Sequence, residues 1–184
     1  MTPPQGEAIA LRRSCSATTV PHGREITLDA GGVVFLVQQM GGSYTVSTEM
    51  GTLLRIDGDD SDALGFEPPA ERRVAIAGSG GFSLEAVVDA LHTVYDPEIP
   101  VSIVDLGLVY RCEEHTGPDG GRRIEIDMTM TAPGCGMGDV LRRDAVRAVE
   151  RVTGVDSVEV EIVFDPPWTI NAMTEEARLQ LGLL

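Results

Sequence analysis

Residues 124–152 read IEIDMTMTAPGCGMGDVLRRDAVRAVERV, and this stretch decides the fold of the second half of the chain. Its first seven residues alternate between apolar and polar side chains, which is typical of a half-buried strand. Glycines and a proline then predict a turn over residues 131–136. From Met137 onward the apolar residues recur at helical spacing, so we expect a helix directly after the turn.

The neighbouring residues extend this pattern to a complete domain. Ser83 is the predicted N-cap of a helix whose apolar face runs from Leu84 to Val94, and Asp96-Pro97 is expected to end it. The other predicted elements are a strand over 108–112 that pairs with the strand over 124–130, a strand over 158–164, and a short helix starting near 174. The order α-β-β-α-β-α predicts an α+β fold, specifically a two-layer α/β sandwich.

In the first half of the chain, the sequence pattern predicts strands only. Glycine turns separate short apolar runs at 26–28, 33–37, 44–46 and 53–56, a pattern that favours a small antiparallel sheet or barrel. We therefore divide the chain into a small β-rich domain (1–66), a glycine- and proline-rich linker (67–82) and an α+β domain (83–184).

Composition excludes several classes of function. The formal net charge is −15, and all 14 basic residues are arginine. Without lysine the chain has no P-loop lysine, Schiff-base lysine or lysine general base, and its acidity disfavours nucleic acid as a partner. No apolar run approaches the ~20 residues of a membrane helix, and the N-terminus does not read as a secretory signal. We expect a cytoplasmic protein with no membrane partner.

The three cysteines, Cys15, Cys112 and Cys135, lie far apart in the sequence, and no pair has C-x-x-C spacing. An odd number of cysteines in a cytoplasmic chain fits free thiols better than disulfides. A metal or cluster bound through Cys135 would need other ligands. A second chain is one source of them, which leaves a homo-oligomer open.

Cys135 is the sharpest candidate for a functional residue. It lies in a turn between Gly134 and Gly136, and the helix predicted to follow would favour its thiolate form. The glycines would let a metal centre or another backbone approach the sulfur. The alternative is a small buried cysteine that packs like alanine.

Two further candidates have structural alternatives. Asp96-Pro97-Glu98 places two carboxylates on a stiffened turn, where they could bind iron or hold nearby backbone N–H groups; the alternative is helix termination by an Asx turn. Trp168, the single tryptophan, follows two prolines and either packs the last helix onto the domain or forms a docking edge for a partner.

Three motifs together resemble a known family. They are Asp96-Pro97-Glu98-Ile99-Pro100-Val101, Asp105-Leu106-Gly107-Leu108-Val109-Tyr110, and the residues from Thr129 to Cys135. Residues 83–184 resemble the domain shared by bacterial SufT proteins, the eukaryotic cytosolic iron–sulfur targeting factor and the PaaD subunit of phenylacetyl-CoA oxygenase systems. The N-terminal extension and the ending from Pro167-Trp168 onward are similar to the SufT branch of this family.

The resemblance implies a non-enzymatic auxiliary factor of SUF-type iron–sulfur cluster assembly, which helps to deliver clusters to apo-proteins. It implies that Cys135 is the functional thiol of the family, and it leaves three roles open for this cysteine: binding a cluster, binding iron, or only contacting a client. Since clusters usually take four cysteines, a single thiolate favours transient delivery of a cluster or iron over storage. It also implies a supporting loop formed by Asp96, Pro97, Glu98, Thr131, Pro133 and Gly134. The implied partners are SUF assembly proteins and apo iron–sulfur clients.

Two alternatives to this function belong to other classes. The first is an adaptor that recruits clients and never binds iron. The second is a thiol-based redox enzyme, which the absence of a nearby resolving cysteine disfavours.

Overall fold

The computed structural model describes residues 6–67, 82–134 and 136–183. The chain forms two compact units, Met1–Glu71 and Arg72–Leu184. Apart from Glu67 and Phe82, the predicted linker (67–82) lies outside the described residues, so its boundaries stay a prediction. No helix among the described residues is long and apolar enough to cross a bilayer.

The N-terminal unit is a six-stranded sheet in which every pair is antiparallel. Its strands are β1 (Glu7–Ala10), β2 (Cys15–Thr19), β3 (Glu25–Leu28), β4 (Val33–Met40), β5 (Ser43–Ser47) and β6 (Leu53–Ile56), in the spatial order β1-β4-β5-β6-β2-β3. The antiparallel sheet confirms the β-rich prediction. Sequence patterns missed β1 and β2 because β1 is mostly exposed and β2 buries only small side chains such as Cys15 and Ala17.

Arg13 forms ion pairs with two aspartates of this unit. A 3₁₀ helix follows β6 over Gly58–Leu64 and carries Asp60 and Asp62. Arg13 Nη1 lies 2.8 Å from Asp60 Oδ1, and the same guanidinium also pairs with Asp62. Hydrogen bonds from Arg13 lower the pKa of the Asp62 carboxyl group, so this group is ionised at neutral pH and stays paired with Arg13.

The C-terminal unit contains a three-stranded sheet and three helices. Its elements are α1 (Leu84–Leu91), β7 (Val109–Thr116), β8 (Arg122–Met128), α2 (Gly138–Glu150), β9 (Ser157–Ile162) and α3 (Glu175–Gln180). The predicted pairing of β7 with β8 is confirmed and is antiparallel, whereas β9 pairs with β8 in parallel. These elements follow one another along the chain in the predicted order, α-β-β-α-β-α, as expected for an α+β fold.

Alternation along β8 separates the two faces of its sheet. Ile124, Ile126 and Met128 are at most 1% exposed and join the core, together with apolar residues of α1 and α2. Glu125 and Asp127 point to the other face. There, Arg111 grips Asp127 through two bonds of 2.7 and 3.1 Å, and Arg123 pairs with Glu125. These side chains line a shallow cavity of about 180 Å³.

Helix α1 begins as predicted and ends earlier than predicted. Ser83 Oγ accepts the N–H of Ala86 at 3.1 Å, which confirms the N-cap. The helix ends at Leu91 rather than near Asp96, because the N–H groups of Thr93 and Val94 bond three residues back in tighter turns. Thr93 Oγ1 also donates to Ala90 O at 2.7 Å. Val94 is buried as expected, but it lies outside the helix.

Candidate functional site

The turn that carries the motif from Thr129 to Cys135 is anchored at both ends and exposed between them. Met130 is 3% exposed and Met137 is fully buried. A Cβ on Gly138 would lie 3.8 Å from Met130 Sδ, so the two ends of the turn come together. Between them Pro133, Gly134 and Gly136 are exposed, and Thr131 is half-buried.

Cys135 itself lies outside the described residues. Its neighbour Gly134 has φ +80°, a conformation that suits glycine, and a Cβ there would meet nothing within 4 Å. The turn therefore has open space beside the residue that precedes the cysteine.

The helix after this turn starts later than the sequence suggested. Helix α2 begins at Gly138 with Met137 as N-cap, so Gly136 and Met137 separate Cys135 from the first helical residue. The prediction that Cys135 lies directly before a helix is wrong. Gly136 and Met137 form a turn instead, and Met137 O then accepts the N–H groups of Val140 and Leu141. The influence of a helix dipole falls off within one turn, and the first helical residue lies two positions further along the chain than in a helix that starts directly after Cys135.

Asp96 forms an Asx turn with its buried carboxylate. Its side chain is the acceptor for two backbone N–H groups, those of Glu98 and Ile99, both at 2.9 Å from Oδ1. The residue is 4% exposed, and this burial raises the pKa of its carboxyl group, partly offset by the two hydrogen bonds. Asp96 therefore shapes this turn, although helix α1 ends before it, at Leu91. Glu98 is the exposed carboxylate of the pair.

The two halves of the predicted supporting loop are not joined by side-chain bonds within the part of the chain that the structure describes. No hydrogen bond or ion pair there links Asp96 or Glu98 to Thr131, Pro133 or Gly134. Their membership of one site stays a prediction.

Replacing Asp96 separates its charge from its hydrogen bonds. Asp96→Asn keeps an oxygen for both N–H groups and removes a desolvated charge, so we expect a change in unfolding free energy of less than about 1 kcal/mol at pH 7. Asp96→Ala leaves two N–H groups of a buried turn without their acceptor, and we expect a loss of about 2 kcal/mol. Urea unfolding followed by the fluorescence of Trp168 measures both. Equal losses would show that the charge, and not the turn, is what stabilises the fold.

The other two cysteines are poor nucleophiles. Cys15 is buried in the N-terminal sheet, and Cys112 is half-buried in β7, packed against the C-terminal core. Burial raises the pKa of both thiols, and Glu113 raises that of Cys112 further. Both therefore favour the unreactive thiol form at neutral pH.

Trp168 contacts its own unit. Its indole Nε1 donates to Leu106 O at 2.8 Å, and its ring packs partly buried against the C-terminal core. These contacts agree with the packing interpretation. A role of Trp168 in partner docking stays a prediction.

Two polar groups near the motifs escaped the sequence analysis. Thr129 is 1% exposed, and its hydroxyl has no hydrogen-bond partner among the described residues. Ser102 Oγ donates to Asp105 Oδ2 at 2.6 Å and lies 3.4 Å from His92 Nδ1. The Ser102 oxygen also accepts the N–H of Asp105 at 3.1 Å, so these side chains form a local polar cluster that holds the turn. Ser102 and Asp105, three apart, were the signal for a local turn.

The described residues contain no cluster of three potential metal ligands. Within 6–67, 82–134 and 136–183, no group of three or more His, Cys, Asp or Glu residues could hold a metal ion. The predicted ligand Cys135 falls outside those ranges.

Comparisons with known proteins bear on the C-terminal unit. Residues 84–162 match the family model described as iron-sulfur cluster assembly protein. An Fe-S protein maturation auxiliary factor of Porphyromonas gingivalis is 45% identical over 100 residues, which cover 54% of this chain and 91% of that protein. The Fe-S protein maturation auxiliary factor SufT of Staphylococcus aureus is 36% identical over 90 residues, 49% of this chain and 98% of that protein. A solved structure of a conserved hypothetical protein of Thermotoga maritima is 37% identical with a TM-score of 0.46, over 57% of this chain and 99% of that one.

Proposed function

Because this chain belongs to the iron–sulfur cluster assembly protein family, we propose that it is an auxiliary factor in iron–sulfur protein maturation. Its task is to deliver clusters of the SUF route to apo-proteins, with the thiolate of Cys135 as a transient ligand. The cluster, or iron, is cargo that the protein passes on.

The observation that carries this proposal is the anchored, exposed turn around Cys135. Met130 and Met137 bury its two ends, while Pro133, Gly134 and Gly136 face solvent. A turn of this kind holds a fixed place on the domain and leaves room for a second protein to approach the thiol. This is what a ligand shared between donor and acceptor requires.

Coordination chemistry favours delivery over storage. Clusters are usually held by four cysteines, so a single thiolate leaves most of the coordination positions on iron to ligands from other molecules. A donor assembly protein or an apo-client can supply these ligands and displace the thiolate in turn. The steps are ligand exchanges at iron, so we propose a carrier and not an enzyme. Its partners are then SUF assembly proteins and apo clients.

Anaerobic reconstitution tests the proposal. The purified chain is incubated with ferrous iron and sulfide, and the cluster is followed by visible absorption and by iron content. We expect the wild type to bind a cluster, to lose it readily to an apo-ferredoxin, and to show slower iodoacetamide labelling of Cys135 while the cluster is bound. Without metal, Cys135 should alkylate faster than Cys112, because burial raises the pKa of the Cys112 thiol and leaves less of it as reactive thiolate.

Serine variants decide between carrier and adaptor. Cys135→Ser should bind no cluster, and the matched Cys112→Ser should bind as the wild type does. If the wild type binds no iron yet supports iron–sulfur enzymes in cells, the adaptor that recruits clients is the correct function. If Cys135→Ser binds as much cluster as the wild type, the ligand is not this thiolate.

A further inference from the structure

The segment after β9 folds back over the motif Asp105-Leu106-Gly107-Leu108-Val109-Tyr110, which we call the second motif. We call residues 163–174 the C-terminal clasp. It starts where the N–H of Val163 bonds Met128 O at 2.8 Å, and it ends where the N–H of Thr174 bonds Asp105 O at 2.9 Å. Between these points Trp168 Nε1 donates to Leu106 O at 2.8 Å. The family match ends at residue 162, so the clasp lies beyond the matched residues.

Close backbone approach reinforces these bonds. Gly107 has φ +67°, and a Cβ on it would lie 2.1 Å from Ala172 O. Only a residue without a side chain lets the clasp lie this near. Beyond the clasp, Gln180 Nε2 of α3 donates to Pro100 O at 3.2 Å. The C-terminal segment therefore contacts the loop over residues 95–107 at its middle, through Pro100, and at its C-terminal end.

Hydrogen bonds inside this loop connect the clasp to the Asp96 turn. The N–H of Leu106 bonds Ser102 O at 2.9 Å, and Ser102 pairs with Tyr95 in an isolated β-bridge. Next to that bridge, the N–H of Asp96 bonds Val101 O at 3.2 Å. A path of hydrogen bonds and intervening backbone thus runs from Trp168 through Leu106, Ser102 and Val101 to Asp96.

We propose that the clasp is a positioning element that holds the Asp96-Pro97-Glu98 turn in place, with Trp168 as its main positioning residue. Leu106 O and Pro100 O are fixed from outside the loop, which limits the conformations open to residues 95–107. The exposed carboxylate of Glu98 is then presented in one place. What that carboxylate is used for rests on the proposed function; the positioning itself does not.

Amide hydrogen exchange of the metal-free, full-length protein tests the positioning. The N–H groups of Glu98 and Ile99 are protected only while they bond Asp96 Oδ1, so their exchange reports the order of the turn. Trp168→Phe keeps an aromatic ring and removes the Nε1–H bond. We expect the Glu98 and Ile99 amides of this variant to exchange at least about threefold faster, the effect of losing one hydrogen bond. Amides in the middle of β8 should keep their rates.

Tyr110→Phe is the matched control. The Tyr110 hydroxyl donates to Pro166 O at 2.9 Å, so it also joins the clasp to the domain, but from β7 and not from the loop. Its removal should leave Glu98 and Ile99 unchanged. Unchanged exchange in Trp168→Phe, or equal acceleration in both variants, would overturn the proposal.

A second variant protects the test against loss of folding. Gln180→Ala removes an exposed bond to Pro100 and should also accelerate Glu98 and Ile99 exchange. If Trp168→Phe does not fold, normal exchange of both amides in Gln180→Ala would refute positioning. In the reconstitution assay, a wild type that transfers no cluster would refute the proposed function and leave the exchange result standing.

Discussion

A Cys135→Ser variant is expected to lose all support of iron–sulfur enzymes in a strain that depends on this protein, while its fold stays intact. Serine keeps the size of the side chain and removes the thiolate that we propose as the iron ligand. The exposed neighbours Gly134 and Gly136 leave little packing to disturb. The measurement is the activity of a cluster-dependent enzyme in a deletion strain that expresses the variant, with circular dichroism of the purified protein.

Cys112→Ser is the matched control in cells. Cys112 is half-buried in β7 opposite Ile126, so serine there should lower stability and leave enzyme support intact wherever the protein still folds. Complementation by Cys135→Ser at the wild-type level would show that the thiol is dispensable.

Gly107→Ala is expected to destabilise the C-terminal unit strongly. The left-handed backbone at Gly107 costs an alanine about 1–2 kcal/mol. Its Cβ would also lie 2.1 Å from Ala172 O, a backbone atom that must move. Displacing it adds about 1–3 kcal/mol, as for other overpacked sites. Urea unfolding followed by Trp168 fluorescence measures the sum directly in this unit.

Gly120→Ala isolates the contribution of the clasp. Gly120 has φ +80° in the turn between β7 and β8, and a Cβ there would meet nothing within 4 Å. It carries the same backbone penalty without the clash, so its loss should stay near about 1–2 kcal/mol. Equal losses for the two glycines would mean that the clasp moves aside at no cost.

Local patterns predicted the elements of the C-terminal unit well. The alternation in β8, the Ser83 cap and the short helix starting near Thr174 are each confirmed, because these signals depend only on neighbours in sequence. The motif resemblance is confirmed by relatives of 36–45% identity. The start of α2 was wrong because Gly136 and Met137, which suit a helix terminus, form one more turn before it.

Contacts between distant residues could not be predicted in the same way. The bond from Trp168 to Leu106 spans 62 positions, and nothing in either motif alone indicates the other. The role of Gly107 appears only with Ala172 beside it. The sequence therefore identified the second motif, and only the structure shows the contacts that Leu106 and Gly107 make within it.

The arginine pairs on the outer face of the C-terminal sheet limit how that face can be regulated. Hydrogen bonds to Asp127 and Glu113 raise the pKa of the Arg111 guanidinium above its ordinary value, so it keeps its proton at every pH a cell reaches. Lysine acetylation, a common way to erase a positive charge, has no target side chain in this sequence. The positive charge that Arg111 contributes to this face is therefore fixed over that whole range of pH.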